Sequence, residues 1–239
     1  WINNAAVMSE LFPEFVKARK HMNPSPHTNP NYTGDGFALA EKVNAMMDKK
    51  NYTLRLMGPM VFSKSGVMSN MVNSTLAINT RGRRYICEPS QLRNGVFNSG
   101  LVMMEQPEGY AYILFDSNNL EAAIRDNVEN PKPPTPGIFG LPPLPENMEA
   151  AVEDIRSVLG KESDLFTADT VDEMAAQIGV DPAALAQTVN DYNRYCDEGF
   201  DRDCFKEREY LVPCAKAPFY AVQAKLGTDG AFGGIQVNG

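Results

Sequence analysis

The chain has 239 residues, 43% hydrophobic and 22% charged, and its 22 basic against 30 acidic residues leave a net charge of −8. That length and composition bury a core as one large domain or two small ones, which excludes disordered, collagen-like and coiled-coil readings. The acidic balance, with no basic run, excludes a nucleic-acid-binding surface. No run of about 18 apolar residues is present to span a membrane.

The opening Trp1-Ile2-Asn3-Asn4 has neither the basic start nor the apolar stretch of a signal peptide, and there is no initiator methionine. The chain is therefore expected to begin inside a longer protein or after processing. Residues 5–20 predict an amphipathic helix carrying Val7, Met8, Leu11, Phe15 and Val16, broken near Pro13. A Pro- and Asn-rich loop leads to Thr33-Gly34-Asp35-Gly36, where Gly and Asp suit a tight turn and an anion-tolerant helix start; that helix is predicted to run to about Lys49. From Ser74 to Glu88 the period changes to two, with Leu76, Ile78, Tyr85 and Cys87 flanking Asn79-Thr80-Arg81-Gly82-Arg83 as a hairpin.

A helix over about 89–104 and a strand over 110–116 follow, and Asn118 is a candidate cap for a helix carrying Leu120, Ile124 and Val128. Residues 131–145 hold seven of the 17 prolines, which excludes helix or central strand; Ile138, Phe139, Leu141 and Leu144 predict an excursion packed on the domain. Helices are predicted from Met148 to Leu159, after Thr170 to Ile178 behind a capping box, and from Asp181-Pro182 to about Cys196 with Gly199 beyond. A strand over 218–224 and a short one near Ile235-Gln236-Val237 complete an α+β chain.

Candidates for chemistry are few. His21 and His27 lack a partner at metal-binding spacing, and neither a Gly-x-Ser-x-Gly elbow nor a phosphate loop is present. Cys87, Cys196, Cys204 and Cys214 show no Cys-x-x-Cys spacing and are expected as free thiols. No Gly-x-Gly-x-x-Gly stands between a strand and a helix, so the chain holds no complete Rossmann unit. Two glycine-bearing segments, Thr33-Gly34-Asp35-Gly36 and Gly230-Ala231-Phe232-Gly233-Gly234, could bring backbone amides against a flat or anionic ligand; ordinary turns are the alternative.

Taken in order, the motifs resemble the FAD-dependent fumarate reductase and 3-ketosteroid dehydrogenase superfamily of flavoproteins. Asn3-Asn4 with Met8 and Pro13 resembles the segment after the family's Ala-Thr-Gly-Gly strand, and Thr33-Gly34-Asp35-Gly36 its Thr-Gly-Asp-Gly loop. Asn79 to Glu88 resembles the hairpin Asn-x-x-Gly-Lys-Arg-Phe-x-x-Glu. Ile178 to Asn193 is similar to the helix Leu-x-x-Thr-Val-x-x-Tyr-Asn. Pro218-Phe219-Tyr220-Ala221, followed by Gly233-Gly234, resembles the Pro-Phe-Tyr-Ala strand and Thr-x-Gly-Gly turn.

The resemblance implies a capping (substrate) domain inserted in an FAD-binding domain. Residues 1–56 would be a late segment of the FAD-binding domain, 57–225 the capping domain, and 226–239 the return. It implies FAD as cofactor of the full-length protein, not retained by this portion alone, which would itself be inactive. Thr33, Gly34, Asp35, Gly36, Gly233 and Gly234 would contact the cofactor. Implied partners are a small organic substrate, the remaining FAD-binding portions of the same polypeptide and an electron-donor protein. Localisation stays open between cytoplasm and cell envelope.

The implied reaction passes hydride between flavin and a carbon-carbon bond next to a carbonyl. Two family histidines are absent: the positions read Met57-Gly58-Pro59 and Asp229-Gly230. Fumarate is therefore not the expected substrate. Tyr220 is the leading candidate acid, with a half-buried strand aromatic as its alternative reading, and Arg93, one residue beyond the family's spacing, is the second. Arg84 and Glu88 are expected to form a structural ion pair. The competing class is a non-catalytic cap-like domain that binds a small apolar ligand or a partner protein.

Overall fold

The computed structural model describes residues 23–24, 35–48, 55–56, 65–67, 75–88, 102–103, 105–130, 143–161, 164–228 and 234–236. In chain order its elements are β1 (Asn23–Pro24), α1 (Asp35–Lys42), β2 (Met47–Asp48), β3 (Arg55–Leu56), β4 (Leu76–Asn79), β5 (Tyr110–Asp116), α2 (Ser117–Glu129), α3 (Met148–Val158), β6 (Leu165–Ala168), α4 (Val171–Ile178), α5 (Pro182–Glu198), β7 (Phe219–Thr228) and β8 (Gly234–Ile235). The expected helix over 5–20, most of the one over 89–104 and the proline-rich stretch up to residue 142 lie outside the described residues.

The ten-residue strand β7 organises the main sheet. Its first part pairs antiparallel with β5 on one side, from Phe219↔Asp116 to Lys225↔Tyr110, and with β6 on the other. The strand β4 extends the sheet antiparallel beyond β5. At its far end Gly227 pairs with both Asn23 of β1, in parallel, and Arg55 of β3, antiparallel. The α+β expectation holds.

Helices cover both faces of this sheet. Because side chains alternate along a strand, Ala111, Ile113 and Phe115 join Tyr220, Val222 and Ala224 on one face. There they meet Leu120 and Ile124 of α2 and Ala151, Ile155 and Val158 of α3. On the other face, Leu76, Ile78, Tyr112, Leu114, Phe219 and Ala221 pack with Met174, Ala175 and Ile178 of α4 and with Leu185, Val189 and Tyr192 of α5. Leu76, Ala77 and Ile78 are accordingly all buried, and the polar-out half of an exposed hairpin is missing.

Local signals account for the helix ends, with two corrections. The helix α2 is capped by Asp116 and not by Asn118. The Asp116 carboxylate accepts from Asn119 N–H at 3.0 Å, and the Asn119 side-chain oxygen accepts from Asp116 N–H at 2.9 Å. The last residue of β5 thus doubles as the cap. Its carboxylate also accepts from the N–H groups of Ala215 and Lys216, tying the segment before β7 to the helix start. The helix α1 stops at Lys42, not near Lys49: Asn44 turns left-handed (φ 51°) and Ala45 N–H bonds Ala40 O at 2.9 Å. That turn frees Met47–Asp48 to form a strand. The other ends follow expectation, with Thr170 capping α4 and Asp181-Pro182 opening α5, which closes on Gly199.

Two close approaches lock loops onto this body. The described end of the proline-rich stretch lies against Gly66, where a Cβ would collide with the Pro143 carbonyl, and Leu144 packs on the first core face. The hairpin tip docks on α5: Thr188 Oγ1 donates to Gly82 O at 2.6 Å, and Gly82 adopts φ 69°. A Cβ on Gly82 would lie 2.9 Å from Val180 Cγ1 and 3.0 Å from Leu185 N. Gly82→Ala is therefore expected to cost about 2 kcal/mol, combining left-handed strain with crowding. A shift in the urea midpoint without a change in slope would measure it.

Tyr85, on the returning arm of the hairpin, carries the one buried side-chain polar atom without a hydrogen-bond partner among the described residues, its hydroxyl. The ring packs against the first core face, and burial raises the phenol pKa, so the group stays neutral. Tyr85→Phe is expected to raise stability by about 1 kcal/mol, the desolvation cost of an unmade hydrogen bond. An unchanged or lowered urea midpoint would show that the hydroxyl is solvated.

Candidate functional site

Of the two glycine-bearing segments, Asp35, Gly36 and Gly234 are described. The strands β2 and β8 pair antiparallel, Met47↔Ile235 and Asp48↔Gly234, and Gln236 N–H donates to Met46 O at 2.8 Å. The helix α1 lies against β8. At its start Asp35 and Gly36 are exposed, and a Cβ on Gly36 would meet nothing within 4 Å. A helix start offers backbone N–H groups and a positive dipole end to an anionic group. An anionic part of FAD would meet the amides at Asp35 and Gly36 at this helix start, and Gly234 pairs with Asp48 in the ladder next to the helix. Thr33, Gly34, Gly233 and Arg93 lie outside the described residues.

Tyr220 stands elsewhere. It is 5% exposed, belongs to the core face covered by α2 and α3, and stacks on Phe115 with ring centroids 5.2 Å apart. Burial raises its phenol pKa. Seven residues of strand separate it from Gly227, where β1 and β3 pair, a span of about 23 Å. The strand that carries Gly234 pairs with β2 and lies against α1, the helix that Asp35 and Gly36 open, whereas Tyr220 belongs to the main sheet. The geometry of Tyr220 matches the half-buried aromatic alternative, with even less exposure.

Among the described residues, a buried charge cluster stands at the base of the hairpin. Arg84 donates Nε to Glu88 Oε1 at 3.1 Å, Nη2 to Glu88 Oε2 at 2.8 Å and Nη1 to Asp201 Oδ2 at 2.6 Å. Lys206 Nζ, fully buried, donates to Thr75 O at 2.7 Å and Tyr192 OH at 3.1 Å, and lies 3.3 Å from Glu88 Oε2. Both cations also stand over the Tyr192 ring, Arg84 at 5.3 Å and Lys206 at 5.0 Å from the centroid. Burial alone would lower the Arg84 pKa, and the Glu88 carboxylate reverses this, so Arg84 stays charged. Burial lowers the Lys206 pKa, partly offset by Glu88.

The expected Arg84–Glu88 pair is thus present, but two members were missed. Asp201 and Lys206 sit in the alternating-charge loop after α5, a pattern that reads as solvated surface; no local signal marks them as buried. The cluster pairs two cations with two anions and fixes Glu88, the last described residue before Arg93.

Nucleophilic and metal chemistry find no support among the described residues. Burial pushes the Cys196 thiol up to about 11 and the Cys204 thiol up to about 12, away from reactive thiolate. No group of three His, Cys, Asp or Glu side chains there could hold a metal ion. No helix there is long and apolar enough to cross a membrane.

Helices packed on both faces of a largely antiparallel sheet define an α+β fold. The family described as FAD binding domain matches residues 8–239, and the chain belongs to it. The chain is 26% identical over 211 residues to the urocanate reductase of Eggerthella lenta, covering 86% of this chain and 30% of that protein. Its fold is similar to the open conformation of a flavocytochrome c3 fumarate reductase, with TM-score 0.57 and 21% identity over 98% of this chain and 35% of the other. A similar match, TM-score 0.57 and 22% identity, covers 92% of this chain and 40% of the 3-ketosteroid Δ1-dehydrogenase of Sterolibacterium denitrificans. The chain spans about a third of the length of these relatives. As a member of this family it is a flavoprotein sequence, and the cofactor is FAD.

Proposed function

We propose that the full-length polypeptide is an FAD-dependent oxidoreductase that transfers hydride between flavin and a carbon-carbon bond next to a carbonyl, on a substrate other than fumarate. FAD, when bound, supplies the two-electron chemistry. Residues 57–225 act as the cap over the substrate, and residues 1–56 and 226–239 belong to the FAD-binding domain. The observation that carries this reading is the continuity of β7. One strand is the spine of the helix-covered sheet and, at Leu226–Thr228, the pairing partner of β1 and β3.

In this arrangement the amides at Asp35 and Gly36 hold the cofactor's anionic part, and Gly234 keeps the facing backbone close. Arg93 is the proposed proton donor, because Tyr220 is enclosed in the core far along β7. The urocanate reductase relative supports an unsaturated acid as the substrate class. Met57-Gly58-Pro59 and Asp229-Gly230 stand where a dicarboxylate clamp would need histidines, which supports excluding fumarate.

The test is a visible spectrum of the purified full-length protein, followed by turnover with a reduced viologen as electron source. A flavin band, oxidation of the viologen by α,β-unsaturated acids or enones, and no oxidation by fumarate are expected. The 239-residue portion alone is expected to show no flavin band. A colourless full-length protein, even after incubation with FAD, would overturn the redox reading and leave a ligand-binding domain.

A further inference from the structure

The unit formed by α1, β2 and β8 is dressed very differently from the main sheet. Leu39 is 62% exposed, Val43 75%, Met46 69% and Ile235 54%, whereas the main sheet is covered on both faces. Leu39 and Val43 stand four residues apart, one above the other on the same side of the helical turn. Met46 precedes the β2–β8 ladder and Ile235 lies in it, facing Met47 across the pair. Among the described residues of this unit the buried apolar one is Ala40, at 4%. Among the described residues, one short helix and a two-residue ladder bury little apolar surface.

Four large apolar side chains gathered on one small unit mark an interface. The relatives point to its occupant. They run to about three times the length of this chain, so most of each flavoprotein lies outside the matched region. We propose that Leu39, Val43, Met46 and Ile235 form the surface on which the remaining FAD-binding portion of the same polypeptide packs, through an apolar face of its own, completing the wall beside Asp35 and Gly36. This rests on the flavoprotein reading above and goes further by naming the surface and the kind of contact.

Thiol labelling in the full-length protein tests the proposal. Val43→Cys is compared with Val128→Cys, a reference position 57% exposed on α2, and the unmodified parent gives the background of the native cysteines. The V43C thiol is expected to react with a maleimide at least tenfold more slowly than the V128C thiol, independently of protein concentration. Equal rates would overturn the proposal. Protection that disappears on dilution would also overturn it, assigning the face to a second copy of the chain. The flavin band is read on the same samples: a flavin-bearing protein with an unprotected V43C thiol defeats the interface alone, while a protected thiol in a colourless protein defeats the flavin reading alone. Val43→Glu, which keeps the helical turn but charges the face, is expected to lower flavin retention at least tenfold. Full retention would overturn the interface.

Discussion

Arg84→Met is expected to destabilise the folded chain by about 3–5 kcal/mol, the cost of breaking a buried charge cluster by removing one partner. The side chains concerned are nearly inaccessible: Arg84 is 6% exposed, Glu88 1% and Asp201 0%. Methionine fills similar volume but leaves both carboxylates without the guanidinium. Urea denaturation would read the loss as a lowered midpoint. A change below about 1 kcal/mol would show the cluster to behave like a solvated surface pair.

The same cluster makes acid stability predictable. Burial would raise the Asp201 pKa, but Arg84 and the N–H groups of Cys204 and Asp203 outweigh it and hold the carboxyl below its ordinary value. A carboxylate with a depressed folded-state pKa contributes stability above its unfolded value, about 3.9, and loses it as pH falls through the folded value. The parent protein should therefore lose stability below about pH 4 more steeply than Asp201→Asn. The asparagine can still accept from the Asp203 and Cys204 N–H groups, 3.0 and 3.1 Å from the present oxygen. Parallel pH profiles for the two proteins would refute the assignment.

What could be read from the sequence was what short-range chemistry determines. Asp181-Pro182 and Gly199 bracket α5, and the aromatic and β-branched runs at 110–116 and 219–222 become β5 and β7, because cap, turn and strand preferences act within a few residues. The burial of Asp201 and Lys206 was not legible, since their partners arrive from the hairpin more than 100 residues earlier. The position of Tyr220 has a similar cause. Alternation says that it faces one side of β7, but only the register with Phe115 and the arrival of α2 and α3 make that side a closed core. The pairing of β2 with β8 depends on Asn44 ending α1 early, a turn that outweighed the continuing helical pattern.

Arg93→Gln in the full-length flavoprotein is expected to lower kcat by a factor of about 10²–10⁴, the usual contribution of a positioned acid, with flavin content unchanged. The reduction of an activated alkene adds hydride at the carbon β to the carbonyl and a proton at the adjacent carbon. The proton source must therefore reach the substrate and be renewed each turn. Tyr220 does not meet that requirement, being 5% exposed and stacked on Phe115 within the core. Tyr220→Phe should leave kcat within a few-fold, while Tyr220→Ala should cost about 3–5 kcal/mol of stability through the cavity it creates. Arg93→Lys separates proton donation from carboxylate binding. Retained KM with a partly recovered kcat supports the donor role, and a raised KM with kcat unchanged in both Arg93 variants would make Arg93 a binding residue. A collapse of kcat in Tyr220→Phe, with stability and flavin content preserved, would return the proton to Tyr220 and require its core face to open during turnover.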